Sequence, residues 1–286
     1  MNTQITPEKT LVSVIIPVYN REHTLRTTLD SVAGQSYRPI EIVIVDDGSD
    51  DGSWEIIEEW VKVNKDLGLN IVPFSQNNAG APAARNRGIE ISSGRFVQFL
   101  DSDDLLSPEK IHEQVNGLQE HDGDVAICDF EHFNPDKEGN LLWKNSGPLR
   151  WKLALGHSLF VCTPLIDRQK IEISGLWFES LRSQQDVDFL LKVMMIAKKY
   201  IYTPGNWCKY CKHEGPQISD QYGFRPPPYG RRVHSLIRFA VTQKKDITLK
   251  GWGVLLTSVV WLGQRWLTFP LRRLVRKFLH RSRFCC

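Results

Sequence analysis

Residues 40–45 read IEIVIV and are followed by two aspartates and a glycine. Successive side chains of a strand point to opposite faces, so a run apolar on both faces must be covered on both. That is the condition of a strand inside a parallel sheet with helices on each side. The flanking sequence fits it. Leu11–Val18 is a second apolar, β-branched run, and Glu22–Ala33 has helical spacing through Leu25, Leu29 and Val32, with Asn20 as its expected N-cap. Ser53–Val63 predicts a helix, Leu69–Phe74 a strand, and Ala79–Ile91 a helix with Pro82 in its first turn. Phe96–Leu100 predicts a strand, Pro108–Leu118 a helix, Val125–Cys128 a strand and Val187–Ala197 a helix. This order implies an α/β fold with a mostly parallel central sheet and helices on both faces. Between residues 131 and 183 the pattern weakens, and no boundaries are assigned there.

In an open parallel sheet, ligands bind beyond the carboxyl ends of the strands. Three polar clusters fall at such places: Asn20 and Glu22 after the first strand, Asp46 and Asp47 after the second, and Asp101, Asp103 and Asp104 after RFVQFL. In FLDSDD, Asp101 and Asp103 alternate with Ser102, so an extended chain turns both toward one ligand. Their oxygens suit a hard cation such as Mg²⁺ or Mn²⁺. An Asx turn ahead of the helix at Pro108 explains the same residues without a ligand. From Asp47, the spacing Asp47, Ser49, Asp51, Gly52, Glu58 also matches a calcium loop. A calcium loop needs an entering helix, and IEIVIV is a strand. Gly48 and Gly52 instead permit a tight strand-to-helix turn, with Asp51 or Ser53 capping the next helix.

VSVIIPVYNREHTLRTTLDSVAGQSY, EIVIVDDGSDDGS, NAGAPAARNRGIEISSGRFVQFLDSDD and QQDVDFLLKV, in that order, resemble a family 2 glycosyltransferase of GT-A fold over roughly residues 11–219. The resemblance implies a nucleotide-sugar donor, usually uridine-linked, and inversion at the anomeric carbon. It places the donor on Pro17, Val18, Tyr19, Glu22, Asp46, Asp47, Arg85, Asp101 and Ser102, and a divalent metal, Mn²⁺ or Mg²⁺, on Asp103 and His213. It matches the catalytic base to Asp186, where Gln185 replaces the family's preceding glutamate. A helix-capping acid is the plain alternative for Asp186. Zinc on Cys208, Cys211 and His213 would need a further ligand that the sequence does not offer.

Charge is unevenly spread. No acidic residue follows Asp246, while Lys250, Arg265, Arg272, Arg273, Arg276, Lys277, Arg281 and Arg283 do. The chain's net +3 less those eight charges leaves −5 on the first 246 residues. Gly251–Gly263 is apolar but shorter than the roughly 20 residues a membrane span needs. Beyond it, Leu267, Leu271, Leu274, Val275 and Phe278 share one helical arc and the basic residues the other. A basic amphipathic segment with Trp and Phe reads as lying in an anionic membrane surface, and nucleic acid is not expected as a partner. Docking on the catalytic domain, an RNA-binding face and a single tilted span extending to Leu271 are the alternatives. Six scattered cysteines and a polar N-terminus predict reduced thiols and a cytoplasmic chain held peripherally at the inner face of the membrane.

The division expected is a GT-A catalytic domain over 1–224 and a C-terminal helical, basic, membrane-associating segment over 225–286, broken at RPPPYG. The expected activity is inverting, metal-dependent transfer of a sugar to an acceptor hydroxyl of a cell-surface or secreted glycan or lipid-linked precursor. Two other readings stay open. One is an inactive glycosyltransferase-like scaffold. The other is a sugar-nucleotide pyrophosphorylase, whose Gly-rich loop IIPVYNREHT lacks.

Overall fold

The computed structural model describes residues 10–65, 68–133, 141–145, 160–181, 185–211, 229–249 and 251–256. In chain order the elements are β1 (Val12–Val18), α1 (Leu25–Ala33), β2 (Ile40–Asp46), α2 (Ser53–Asn64), β3 (Asn70–Ser75), α3 (Ala81–Ile91), β4 (Phe96–Phe99), β5 (Leu105–Leu106), α4 (Lys110–Glu120), β6 (Val125–Phe133), β7 (Leu141–Asn145), β8 (Pro164–Asp167), α5 (Arg168–Ser174), α6 (Gln185–Ile196), β9 (Tyr200–Cys211) and α7 (Tyr229–Thr242). They form one mixed sheet in the order β3-β2-β1-β4-β8-β6-β9-β5, with β7 paired to β6.

The sheet has two halves. β3, β2, β1 and β4 are mutually parallel, as the buried runs predict. β8 then pairs antiparallel with both β4 and β6. β9 runs parallel to β6 and antiparallel to β5. Every residue of β1 and β2 is buried. Val12, Val14, Ile16 and Val18 pack with Leu25, Leu29, Ile57, Trp60 and Ile111 of α1, α2 and α4. Ile15, Val43 and Val45 face the other side with Ala84, Ile89, Phe189 and Val193 of α3 and α6. Each fully buried Val or Ile contributes roughly 1.5–3 kcal/mol over leaving it in water. α3 lies so close to β1 that a Cβ on Gly88 would stand 2.3 Å from Ile15 Cγ2.

Glu41 is the polar exception in β2 and is 3% exposed. It accepts from Ser13 Oγ at 2.6 Å, Ser93 N at 2.8 Å, Ser93 Oγ at 2.9 Å and Asn70 Nδ2 at 3.2 Å. A buried carboxylate satisfied in this way fixes the strand ends around it.

A third apolar cluster joins α6 to the C-terminal helices through Leu191, Met195, Ile196, Leu236, Phe239, Ala240 and Ile247. Asp188 on α6 is buried there, paired with Lys192 at 2.7 Å and accepting from Ser235 of α7 at 3.2 Å. RPPPYG lies mostly, and the amphipathic segment wholly, outside the described residues. Among the described residues no helix is long and apolar enough to cross a membrane.

Candidate active site

β1, β2 and β4 are sheet neighbours, so their carboxyl ends lie side by side. The loop after β1 is locked to the loop after β2. Asn20 adopts φ 52°, and α1 is capped at Thr24, not at Asn20 as expected. Asn20 is held in this left-handed conformation by what it bonds. Its Nδ2 donates to Asp50 Oδ1 at 2.5 Å, its Oδ1 accepts from Asp50 N at 3.0 Å, and its N–H reaches Ser49 Oγ at 3.0 Å. Glu22 extends the seam, its Oε2 accepting from Gly52 N at 3.0 Å. Pro17 and Val18 are buried within β1, while Tyr19 is 46% exposed.

Asp46 and Asp47 have different surroundings. Asp47 accepts from Gln76 Nε2 at 2.7 Å, Ala79 N at 2.9 Å and Gly80 N at 2.7 Å. Both of its oxygens therefore hold the loop that enters α3. Gly48, at φ 71°, lets that loop close, because a Cβ there would meet Asn78 N at 2.8 Å. Asp46 bonds locally to Ser49 Oγ at 2.5 Å. It lines a cavity of about 600 Å³ together with Ser49, Asp51, Trp54, Ser75 and Gln76.

The end of β4 gathers the remaining acids. Arg85 pairs with Asp101 at 2.5 Å, and Arg21 reaches Asp103 at 3.4 Å. Ser102 is buried, and its carbonyl accepts from Thr24 Oγ1 at 3.1 Å. Asp104 is 1% exposed, and Cys211 N donates to its Oδ1 at 3.0 Å. Burial, then the charges of Asp103 and Asp101, holds its carboxyl well above the usual range. Burial raises the Tyr210 phenol, reinforced by Asp104, Asp101, Asp103 and Asp186.

Arg85 also lies over the Trp177 indole, 4.4 Å from its centre. Trp177 stacks on Phe189 at 4.3 Å with 9° between the rings. Phe189 stands one turn beyond Asp186 on α6. Asn86, next to Arg85, fixes the Trp177 backbone: Trp177 N donates to Asn86 Oδ1 at 2.8 Å, and Asn86 Nδ2 donates to Trp177 O at 3.0 Å. Asn86→Ala leaves the Trp177 N–H and C=O, in two successive peptides, without these partners. It is expected to lower stability by about 2–3 kcal/mol, measured by urea unfolding.

Asp186 is partly exposed in the first turn of α6, where the helix dipole favours its charge. Gln185 Nε2 donates back to Leu181 O at 2.8 Å, so the residue replacing the family's glutamate fastens the helix start to the preceding loop. Arg85 Nε, Trp177 Nε1 and Asp104 Oδ2 are buried with no hydrogen-bond partner among the described residues.

Asp101 and Asp103 suit a divalent ion by donor chemistry. Hard carboxylate oxygens can be completed by phosphate oxygens and water. Among the described residues no group of three His, Cys, Asp or Glu could by itself hold a metal, and His213 lies outside them. Cys208 and Cys211 are three apart on β9, so their side chains leave opposite faces. Cys208 Sγ instead sits 3.6 Å from Cys128 Sγ. Cys128, Cys162, Cys208 and Cys211 are free and buried, and burial pushes the Cys211 thiol up to about 12.

The sequence pattern had not singled out Arg21, Asn86 or Trp177. Arg21 and Asn86 sit inside the motifs VYNRE and AARNRG, where their positions were the available signal. Trp177 had none.

The parallel half-sheet with acids at its strand ends, continued by a mixed half, is a GT-A fold. The chain belongs to glycosyl transferase family 2, whose model matches residues 13–164. An uncharacterized glycosyltransferase of Haemophilus influenzae is 33% identical over 198 residues, covering 68% of this chain and 76% of that protein. The chain spans between 18% and 76% of the length of the curated relatives it matches. The fold is that of Staphylococcus aureus TarS, solved in complex with UDP-GlcNAc (TM-score 0.71, 21% identity, 90% of this chain and 73% of that one). It is also that of the mannosyltransferase PcManGT of Pyrobaculum calidifontis, solved with GDP-Man and Mn²⁺ (TM-score 0.58, 17% identity, 98% and 82%).

Proposed function

We propose that the chain transfers a sugar, with inversion, from a UDP-linked donor to a hydroxyl of a glycan or lipid-linked acceptor at an anionic membrane surface. The observation that supports it most is the gathering of Asp46, Asp101 and Asp103 at the carboxyl ends of β2 and β4, on either side of β1, with Arg85 paired to Asp101. The cavity beside Asp46 is the seat for the base; Tyr19 and Glu22 are given to the donor by the family resemblance, and Glu22 bonds Gly52 next to the lining residue Asp51. Asp47 contributes by holding that seat's wall. Asp101 and Ser102 flank the ribose and diphosphate.

Asp186 takes the proton of the acceptor hydroxyl as its oxygen bonds to the anomeric carbon. The bond from that carbon to the diphosphate breaks on the opposite side, and UDP leaves with the electron pair. Arg85, held by Asp101 and Trp177, faces the charge that develops there. Asp101 and Asp103, with His213, would hold a divalent ion, which neutralises the leaving diphosphate when bound.

Calorimetric titration with UDP tests this reading. Mn²⁺ is expected to raise UDP affinity by about tenfold or more. Asp103→Asn removes that enhancement without lowering the melting temperature. UDP binding indifferent to metal in the unaltered chain would defeat the metal assignment. Metal-assisted binding without turnover of any donor would mark a scaffold.

A further inference from the structure

The sequence reading gives residues 225–286 to the membrane as a whole and its amphipathic contact to the segment beyond Gly263; the described helices before that segment carry exposed apolar side chains of their own. α7 buries Leu236, Phe239 and Ala240 against α6. Its opposite side leaves Ile237 47% and Val241 68% exposed. Leu249, Trp252 and Leu256 follow at 91%, 43% and 66%. Five of the nine exposed large apolar side chains among the described residues therefore fall within twenty residues of chain. Basic groups are interleaved with them: Arg238, Lys244 and Lys245 are exposed in the same stretch, where Asp246 is the one acid. Residues 257–286 then add seven basic residues and no acidic one.

We infer that Ile237, Val241, Leu249, Trp252 and Leu256 form a seat that enters the headgroup region of an anionic phospholipid surface. Cationic side chains around an apolar patch match that surface in both respects. Apolar groups gain by leaving water, while the basic heads reach lipid phosphates. A partner protein of ordinary surface offers no reason for so one-sided a charge. The inference rests on the reading of the tail as membrane-seeking, but it gives folded residues a share of the work. Asp188–Ser235 and the Leu191–Leu236 cluster tie the seat to α6, the helix that opens on Asp186.

Vesicle sedimentation of the full chain tests it. Phosphatidylcholine vesicles with and without phosphatidylglycerol are the probes. The triple variant V241S, L249S, W252S is expected to lose about tenfold or more in partitioning to anionic vesicles, with melting temperature and UDP binding unchanged. Binding is expected to weaken with added salt. Unchanged partitioning of that variant overturns the inference, as does equal binding of the unaltered chain to vesicles lacking phosphatidylglycerol. So does light scattering that finds a dimer in lipid-free solution which the variant abolishes, since a second copy would then cover the face. A second full-length variant, R272Q, R273Q, R276Q and K277Q, separates the tail from the seat. If it alone loses binding, the tail reading stands and the seat falls.

Discussion

Asp186→Asn is expected to lower transfer turnover by about 10²–10⁴-fold, the usual contribution of a general base. The amide is nearly isosteric, keeps a polar atom at the start of α6, and cannot take a proton at neutral pH. UDP affinity with Mn²⁺ should not change, because Asp101, Asp103, Arg85 and the cavity beside Asp46 are untouched. A turnover assay paired with calorimetric UDP binding separates the two effects. If both fall together, Asp186 is a structural acid that holds the helix. If neither falls, the proton goes elsewhere. Phe189 packed on Trp177 gives the first outcome a physical route, so both measurements are required.

Asp47→Ala is expected to reduce folding stability by about 3–5 kcal/mol, because three hydrogen-bond donors lose a buried charged acceptor at once. Asp46→Ala should behave differently. Its principal partner is Ser49, three residues along the chain, and its loss should lower stability by about 1 kcal/mol. UDP affinity should instead drop by about tenfold, the worth of one bond to a charged group. Urea unfolding and UDP titration of the two variants form a cross: one loses stability, the other affinity. Two variants with the same profile would refute the division of roles between the neighbours.

Much of the parallel half was visible in the residues themselves. IEIVIV cannot be stable with one face in water, and Gly48 marks the turn beneath the acids. The same local rules misplaced Asn20. Its type favours a helix cap, yet Asp50 and Ser49, distant in sequence, hold it in a left-handed turn one loop earlier. Past β4 the signals thin out for a physical reason. β5 has two residues and β8 four, too few to show a period. Trp177 illustrates the limit: its place under Arg85 depends on Asn86, 91 residues earlier, and no local pattern encodes that pairing.

The reversal of strand direction at β4–β8 has an evolutionary consequence. Parallel strands need long crossovers, so the parallel half is committed to one path of helices and loops. Antiparallel neighbours tolerate connections of almost any length. Segments joining β6, β7 and β8 can therefore lengthen, shorten or be exchanged without disturbing the parallel half. Under the proposed function, a chain built this way can acquire a new acceptor while keeping its donor, and diversification should be concentrated on that side of the seam.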